Sequence, residues 1–187
     1  MHYPKPYIEY LLHFHGSRDW FECHEIMEEL WKAEPSAERK QWWLALVQIA
    51  VGLYHERRGN MAGAIKMLSS ALSHARPVPW CDLGLDGERL LSQLQIKLTE
   101  VNSALAAGKR MQASPDYEEW NLPIADPELR ERCKELCEQR GWMWCLTNSH
   151  VMDEVVHRHK LRDRQDVIAA REEAHRLKQR ERGAESS

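Results

Sequence analysis

His24 and Glu28 stand four residues apart in the stretch Asp19–Trp31, DWFECHEIMEELW, so on a helix they share one side. Gln48 and His55 are seven apart in the apolar run that follows and trace one stripe. An imidazole beside a carboxylate in a dry setting can be oriented for acid–base work. Two imidazoles and a carboxylate are also a common catalytic metal-ligand count. His24, Glu28 and His55 are therefore the catalytic candidates and the alternative metal set. Joined by Trp31, Gln48 and Gly52, they form the candidate ligand-binding set. His24-Glu25 begins like the zinc-peptidase motif, but position 28 is Glu, so HExxH is absent. A plainer account needs no chemistry: His24, Glu28, Gln48 and His55 satisfy one another and fix how two helices meet. On either account the four should be largely buried and within direct or one-water reach of each other.

Cys133, Cys137, Cys145 and His150 form a second set. The first two are one helical turn apart and can face one centre. The spacing C-x3-C-x7-C-x4-H suits tetrahedral zinc chemically but lacks the tight CxxC knuckle. Small reduced thiols in a local core are the preferred reading, and no metal or other cofactor is expected. The basic run VVHRHKLRDR in Val155–Lys178 has no interleaved aromatic residue and carries mixed acids. A solvated or partner-binding face fits it better than a nucleic-acid contact. No phosphate-binding glycine motif occurs.

The elements that must position these residues read as helices. Pro4–His15 is the first, with Gly16 ending it as a C′ glycine. Asp19 caps the second, with Glu22 three residues on as in a capping box. Trp20, Cys23, Met27, Leu30 and Trp31 share its apolar face. Ser36 caps a third helix from about Ala37 to Arg58. It is apolar on all sides through Trp42–Tyr54 and should be central. Gly52 within it suits close approach by another backbone or a ligand. Gly59-Asn60 reads as stop and restart before a fourth helix, Met61–Ala75. After a proline- and glycine-containing loop, Asp86 caps a fifth helix to about Ala107. A strap over residues 108–126 is pinned by Tyr117 and Trp120. Asp126-Pro127 then starts a sixth helix to about Arg140.

The totals agree with a soluble globular chain: 187 residues, 43% hydrophobic, 29% charged, net charge −3. The weak net charge supplies no basic field to recruit nucleic acid. No run is long enough to span a membrane. Five Cys and no signal-like apolar N-terminus point to reduced thiols in a cytoplasmic setting.

The blocks FHGSRDWFECHEIMEELW and LVQIAVGLYHERRGNMAGAIKML resemble the bacterial and archaeal domain of unknown function family number 309, over roughly Tyr7–Leu72. LGLDG and NLPIADP resemble a longer subgroup of it. The resemblance implies an all-helical fold and a cytosolic setting. It also implies that Glu22, His24, Glu25, Glu28, Trp31, Gln48, His55 and Asn60 occupy motif positions. It supplies no activity.

The expected architecture is an all-α, compact bundle of about five helices with a C-terminal helical extension. Residues 1–110 form the core domain, 111–153 a strap and sixth helix packed on it, and 154–187 a charged helix and tail. The function expected is a structural network or a small-ligand or partner site centred on the second and third helices, with a protein partner or second copy as candidate occupants. A metal- or acid–base-dependent hydrolase-like enzyme using His24, Glu28 and His55 is the alternative.

Overall fold

The computed structural model describes residues 3–108, 119–145 and 155. Tyr117, His150 and the C-terminal extension beyond Val155 lie outside the described residues. The described part is helical: α1 Lys5–Leu12, a π-helical turn His13–Ser17, α2 Trp20–Ala33, α3 Ala37–Arg57, α4 Met61–Ala75, a 3-10 turn Trp80–Leu83, α5 Gly87–Ala106 and α6 Pro127–Gln139. The all-α expectation holds, and the only β pairing among the described residues is the single bridge Leu85–Ile124. No described helix is long and apolar enough to cross a membrane.

Caps read from the sequence set most boundaries. Asp19, Ser36, Asn60 and Asp86 each accept a hydrogen bond from the backbone N–H three residues on. The Asp126 carboxylate accepts from both Glu128 and Leu129. Each satisfies donors that a bare helix start leaves open. Gly59, at φ 73°, ends α3 in the left-handed conformation a C′ glycine supplies.

The end of the first helix differs from expectation. Gly16 is not its terminator. The helix widens into the π turn and stops at Arg18, which itself takes the left-handed conformation at φ 57°. Gly16 answers a packing need instead. A Cβ there would lie 2.7 Å from Cys137 Sγ and 3.2 Å from the Trp142 ring. Its bareness lets the end of α6 dock on the π turn.

α3 is the central element, with Trp43, Leu46, Ile49, Ala50 and Leu53 fully buried. α2 packs on one side of it, where Phe21 meets Tyr54 at 5.9 Å between ring centroids. α4 packs on another, and there Gly52 is used. A Cβ on Gly52 would sit 2.7 Å from Leu68 Cγ and Cδ2, so a neighbouring leucine fills the space. α1 threads Tyr7 into the same core, where its hydroxyl donates to Leu83 O at 2.7 Å. The strap end returns over the bundle. Ala125 N–H and Asp126 N–H donate to Gly84 O, and Asp86 N–H donates to Pro123 O, so the first turns of α5 and α6 lie side by side.

Gly52→Ala tests the α3–α4 contact. Alanine should favour the helix by about 1 kcal/mol, but overpacking against Leu68 should cost about 1–3 kcal/mol. A net loss of up to about 2 kcal/mol is expected in chemical denaturation, shrinking when Leu68 is also cut to Ala. An unchanged midpoint would mean that Leu68 yields freely.

Candidate functional site

The structure does not gather the residues singled out in the sequence into one network. His24, Glu28, Gln48 and His55 are each half-buried. His24 Nδ1 lies 3.1 Å from Glu25 Oε1, and His24 Nε2 lies 3.8 Å from Glu28 Oε2. Gln48 Oε1 instead meets His74 Nδ1 of α4 at 2.9 Å. His55 Nδ1 meets the Asn60 amide at 3.1 Å, beside Gly63. The physical reason is the phase of α3: the stripe holding Gln48, Gly52 and His55 faces α4, while Tyr54 faces α2. Burial, reinforced by Arg58, holds the His55 imidazole below its ordinary value. Trp31 is partly buried against the core.

What remains of the expected centre is a cluster on one helix. Ligand atoms of His24, Glu25 and Glu28 lie within 4.8 Å of one another. Glu28 is also bridged to Lys32 at 3.1 Å. The set is half-exposed and, among the described residues, comes from a single helix, which offers few ligands for a coordination sphere. Micromolar zinc or manganese is therefore expected to leave the melting temperature unchanged in both wild type and His24→Gln. A saturable rise seen in wild type alone would make the cluster a metal site.

The cysteine set is also divided. Cys133 and Cys137 are buried, and burial raises their thiols to about 12 and about 11 respectively. Cys137 Sγ reaches the Leu12 carbonyl at 3.9 Å. Cys145 Sγ lies 3.4 Å from His15 Nδ1, and its backbone N–H donates to His15 O at 2.9 Å.

A different group of polar residues is deeply buried. Arg18 is wholly buried, and its guanidinium donates to Phe14 O at 2.9 Å, Trp120 O at 3.0 Å and Asn121 Oδ1 at 2.8 Å. Arg57 stacks on Trp20, with 3.6 Å from guanidinium carbon to ring centroid. It donates to Arg18 O at 2.6 Å and to Glu119 Oε2 at 2.8 Å. A legible signal existed for Arg57. It continues the helical stripe Trp43, Leu46, Ala50 and Leu53, so a charge was placed in line with the core.

These residues back a cleft of about 910 Å³ between α5 and the strap end 119–125. Along α5 the lining residues Arg89, Gln93, Lys97 and Glu100 flank the buried stripe of Leu90, Leu94 and Val101. From the core side comes Glu56, only 4% exposed. Lys97 Nζ reaches Glu56 Oε1 at 3.3 Å and Glu100 Oε2 at 3.1 Å. Glu56 Oε2 and Gln93 Oε1 are buried with no hydrogen-bond partner among the described residues. Burial raises the Glu56 carboxyl, against the opposing pull of Lys97. Burial alone would lower Lys97, but Glu56 and Glu100 outweigh it and hold the ammonium above its ordinary value.

His15, Trp144 and Cys145 also line the cleft. The His15 ring stacks on Trp144 at 4.6 Å. Burial first, and the Arg18 charge second, lower His15 to about 3, against the side chain of Asn121. Burial also raises the Cys145 thiol. The pair is a thiol against a neutral ring, which is not the thiolate an activated nucleophile requires.

His15 carries a pH prediction. A histidine near 3 when folded and near 6.5 when unfolded binds its proton more readily unfolded. Its contribution is complete above about pH 6.5 and is lost as pH falls toward 3, with a slope approaching about 1.4 kcal/mol per pH unit. Denaturation of wild type and His15→Gln between pH 7 and 4 should show a steeper loss in wild type. Parallel curves would mean that the ring takes up its proton without unfolding.

Comparison with known proteins bears on the whole chain. A family model described as a domain of unknown function, DUF309, matches residues 7–67. The uncharacterized protein YpuF of Bacillus subtilis (strain 168) is 40% identical over 178 residues, an alignment that covers 91% of this chain and 93% of that protein. No solved structure matches. The π turn, α2, α3 and the first half of α4 all lie in the matched segment, and the chain belongs to the DUF309 family.

Proposed function

We propose that this protein is a non-enzymatic binder of a small polar organic molecule, held in the cleft between α5 and residues 119–125. One observation carries the reading. Glu56, buried at 4% exposure, lines the cleft, and its Oε2 has no hydrogen-bond partner among the described residues. A buried carboxylate oxygen without a donor is costly. A guest carrying an N–H or O–H would supply the missing bond. The cleft volume is in the range of small-molecule sites, and its walls mix apolar surface with a few convergent polar groups, as such sites do. Val101, Leu122 and Ile124 provide the apolar part.

Binding is preferred to catalysis because the cleft presents a neutral imidazole and a protonated thiol, neither poised as base or nucleophile. A cytoplasmic setting belongs to the same proposal. It is supported by five free thiols, three of them buried.

A screen by ligand-observed NMR, using mixtures of amino acids, amines, organic acids and nucleosides, tests the reading. Ala104 lines the cleft on a half-exposed face of α5, so Ala104→Trp should fill the cleft and leave the fold intact. At least one class of compound should bind wild type and lose its signal with Ala104→Trp. Hits indifferent to that substitution, or an empty screen, would overturn the proposal.

A further inference from the structure

The charges along the cleft are not evenly matched, and their arrangement specifies a guest. At the inner end two carboxylates, Glu56 and Glu100, share one ammonium, Lys97. With all three ionised the trio carries one net negative charge. The remaining acid of that end, Glu119, is already held by Arg57 at 2.8 Å. The unmatched negative charge sits beside the orphaned Glu56 Oε2 and Gln93 Oε1, both acceptors. A cation that donates hydrogen bonds answers both deficits at once.

The outer end is the reverse. The first turns of α5 and α6 are held side by side there by the Leu85–Ile124 bridge. Each turn contributes an arginine to the cleft lining, Arg89 and Arg130. Arg89 has no guanidinium ion pair among the described residues. Among the described residues Arg130 has only a 3.8 Å contact with its exposed neighbour Glu131. Of the acids at these helix starts, Asp86 and Asp126 are engaged as the N-caps of α5 and α6, and Glu88 and Glu128 are exposed outside the cleft lining. Two guanidiniums beside two helix starts form a setting for an anionic group. Arg89 and Lys97 are eight residues apart on one helix, about 12 Å along its axis.

We infer that the cleft takes an elongated zwitterion: an ammonium or guanidinium at Glu56 and Gln93, joined by an apolar chain to a carboxylate at Arg89 and Arg130. Basic amino acids and ω-amino acids are the simplest members of that class. Leu122 and Ile124, on the strap end between Glu119 and the start of α6, would flank the chain. The inference rests on the cleft being the binding site.

Calorimetric titration with L-arginine, L-lysine and 6-aminohexanoate tests it, with hexylamine and hexanoate as single-ended controls. At least one zwitterion should bind wild type about tenfold or more tightly than either control. Glu56→Gln should remove that advantage over hexanoate, and Arg89→Gln with Arg130→Gln should remove it over hexylamine. The arginines are exposed, so the second variant keeps the test valid if Glu56→Gln unfolds. Two outcomes would overturn the inference. Equal binding of zwitterions and controls, or none at all, rejects the ligand class, while the cleft stands if Ala104→Trp still abolishes other hits. Zwitterion binding unchanged by Ala104→Trp rejects the cleft as well.

Discussion

The Arg57 guanidinium is the group on which the docking of α2, the π turn and the strap end against α3 depends. It is nearly inaccessible, and so is its partner Glu119. An ion pair taken out of water gains little net stability, but removing one member leaves a charge stranded at a cost of about 3–5 kcal/mol. The chain must therefore deliver three things to one place: the face of Trp20, the carbonyl of Arg18 and the carboxylate of Glu119. They come from α2, from the π turn and from the strap end. Their joint requirement fixes how these three sit on α3. The left-handed backbone at Arg18 belongs to the same demand. A non-glycine residue there carries strain of about 1–3 kcal/mol unless its surroundings over-determine it. Here the carbonyl accepts from Arg57, and the side chain makes hydrogen bonds to Phe14, Trp120 and Asn121.

From this constraint the site follows. Arg18 draws the strap backbone at Trp120 and Asn121 down onto the π turn. The strap end then stands opposite α5, closing one wall of the cleft. The π turn brings His15 to the cleft wall, and the bare Cα of Gly16 lets Cys137 and Trp142 approach closely. Trp144 and Cys145 follow on the same chain segment and pack on His15. The neutral His15 ring is a consequence of this burial beside Arg18.

Much of this was legible in the sequence because it is local. A capping Asp, Ser or Asn followed by an apolar period gives a helix start within a residue or two, and α2 to α6 begin where those signals stand. The wholly apolar α3 was legible as central for the same reason. The end of α1 was not. Gly16 before a polar stretch has the appearance of a helix terminator, and nothing local distinguishes a glycine chosen for left-handed backbone from one chosen for contact with Cys137, more than a hundred residues away. The polar stripe of α3 failed in a similar way. A seven-residue spacing shows that Gln48 and His55 share a side but not which neighbour covers it, and α4 covers it rather than α2. Arg57 and Glu56 sit next to His55 in the sequence yet turn elsewhere, since each residue along a helix rotates by about 100°.

The contrast between the two polar groupings decides which can hold a guest. His24, Glu25 and Glu28 stand in partial contact with water, where a charge pair is worth about 0–1 kcal/mol and an unpaired charge is met by solvent. None of these three has a buried polar atom without a partner among the described residues. Glu56 is in the opposite situation. Its second oxygen is desolvated and has no hydrogen-bond partner among the described residues, and Lys97 is divided between two acids. Glu56 lines the cleft, so the same packing that fixes the fold leaves a carboxylate oxygen without a partner at the wall of a small-molecule-sized space.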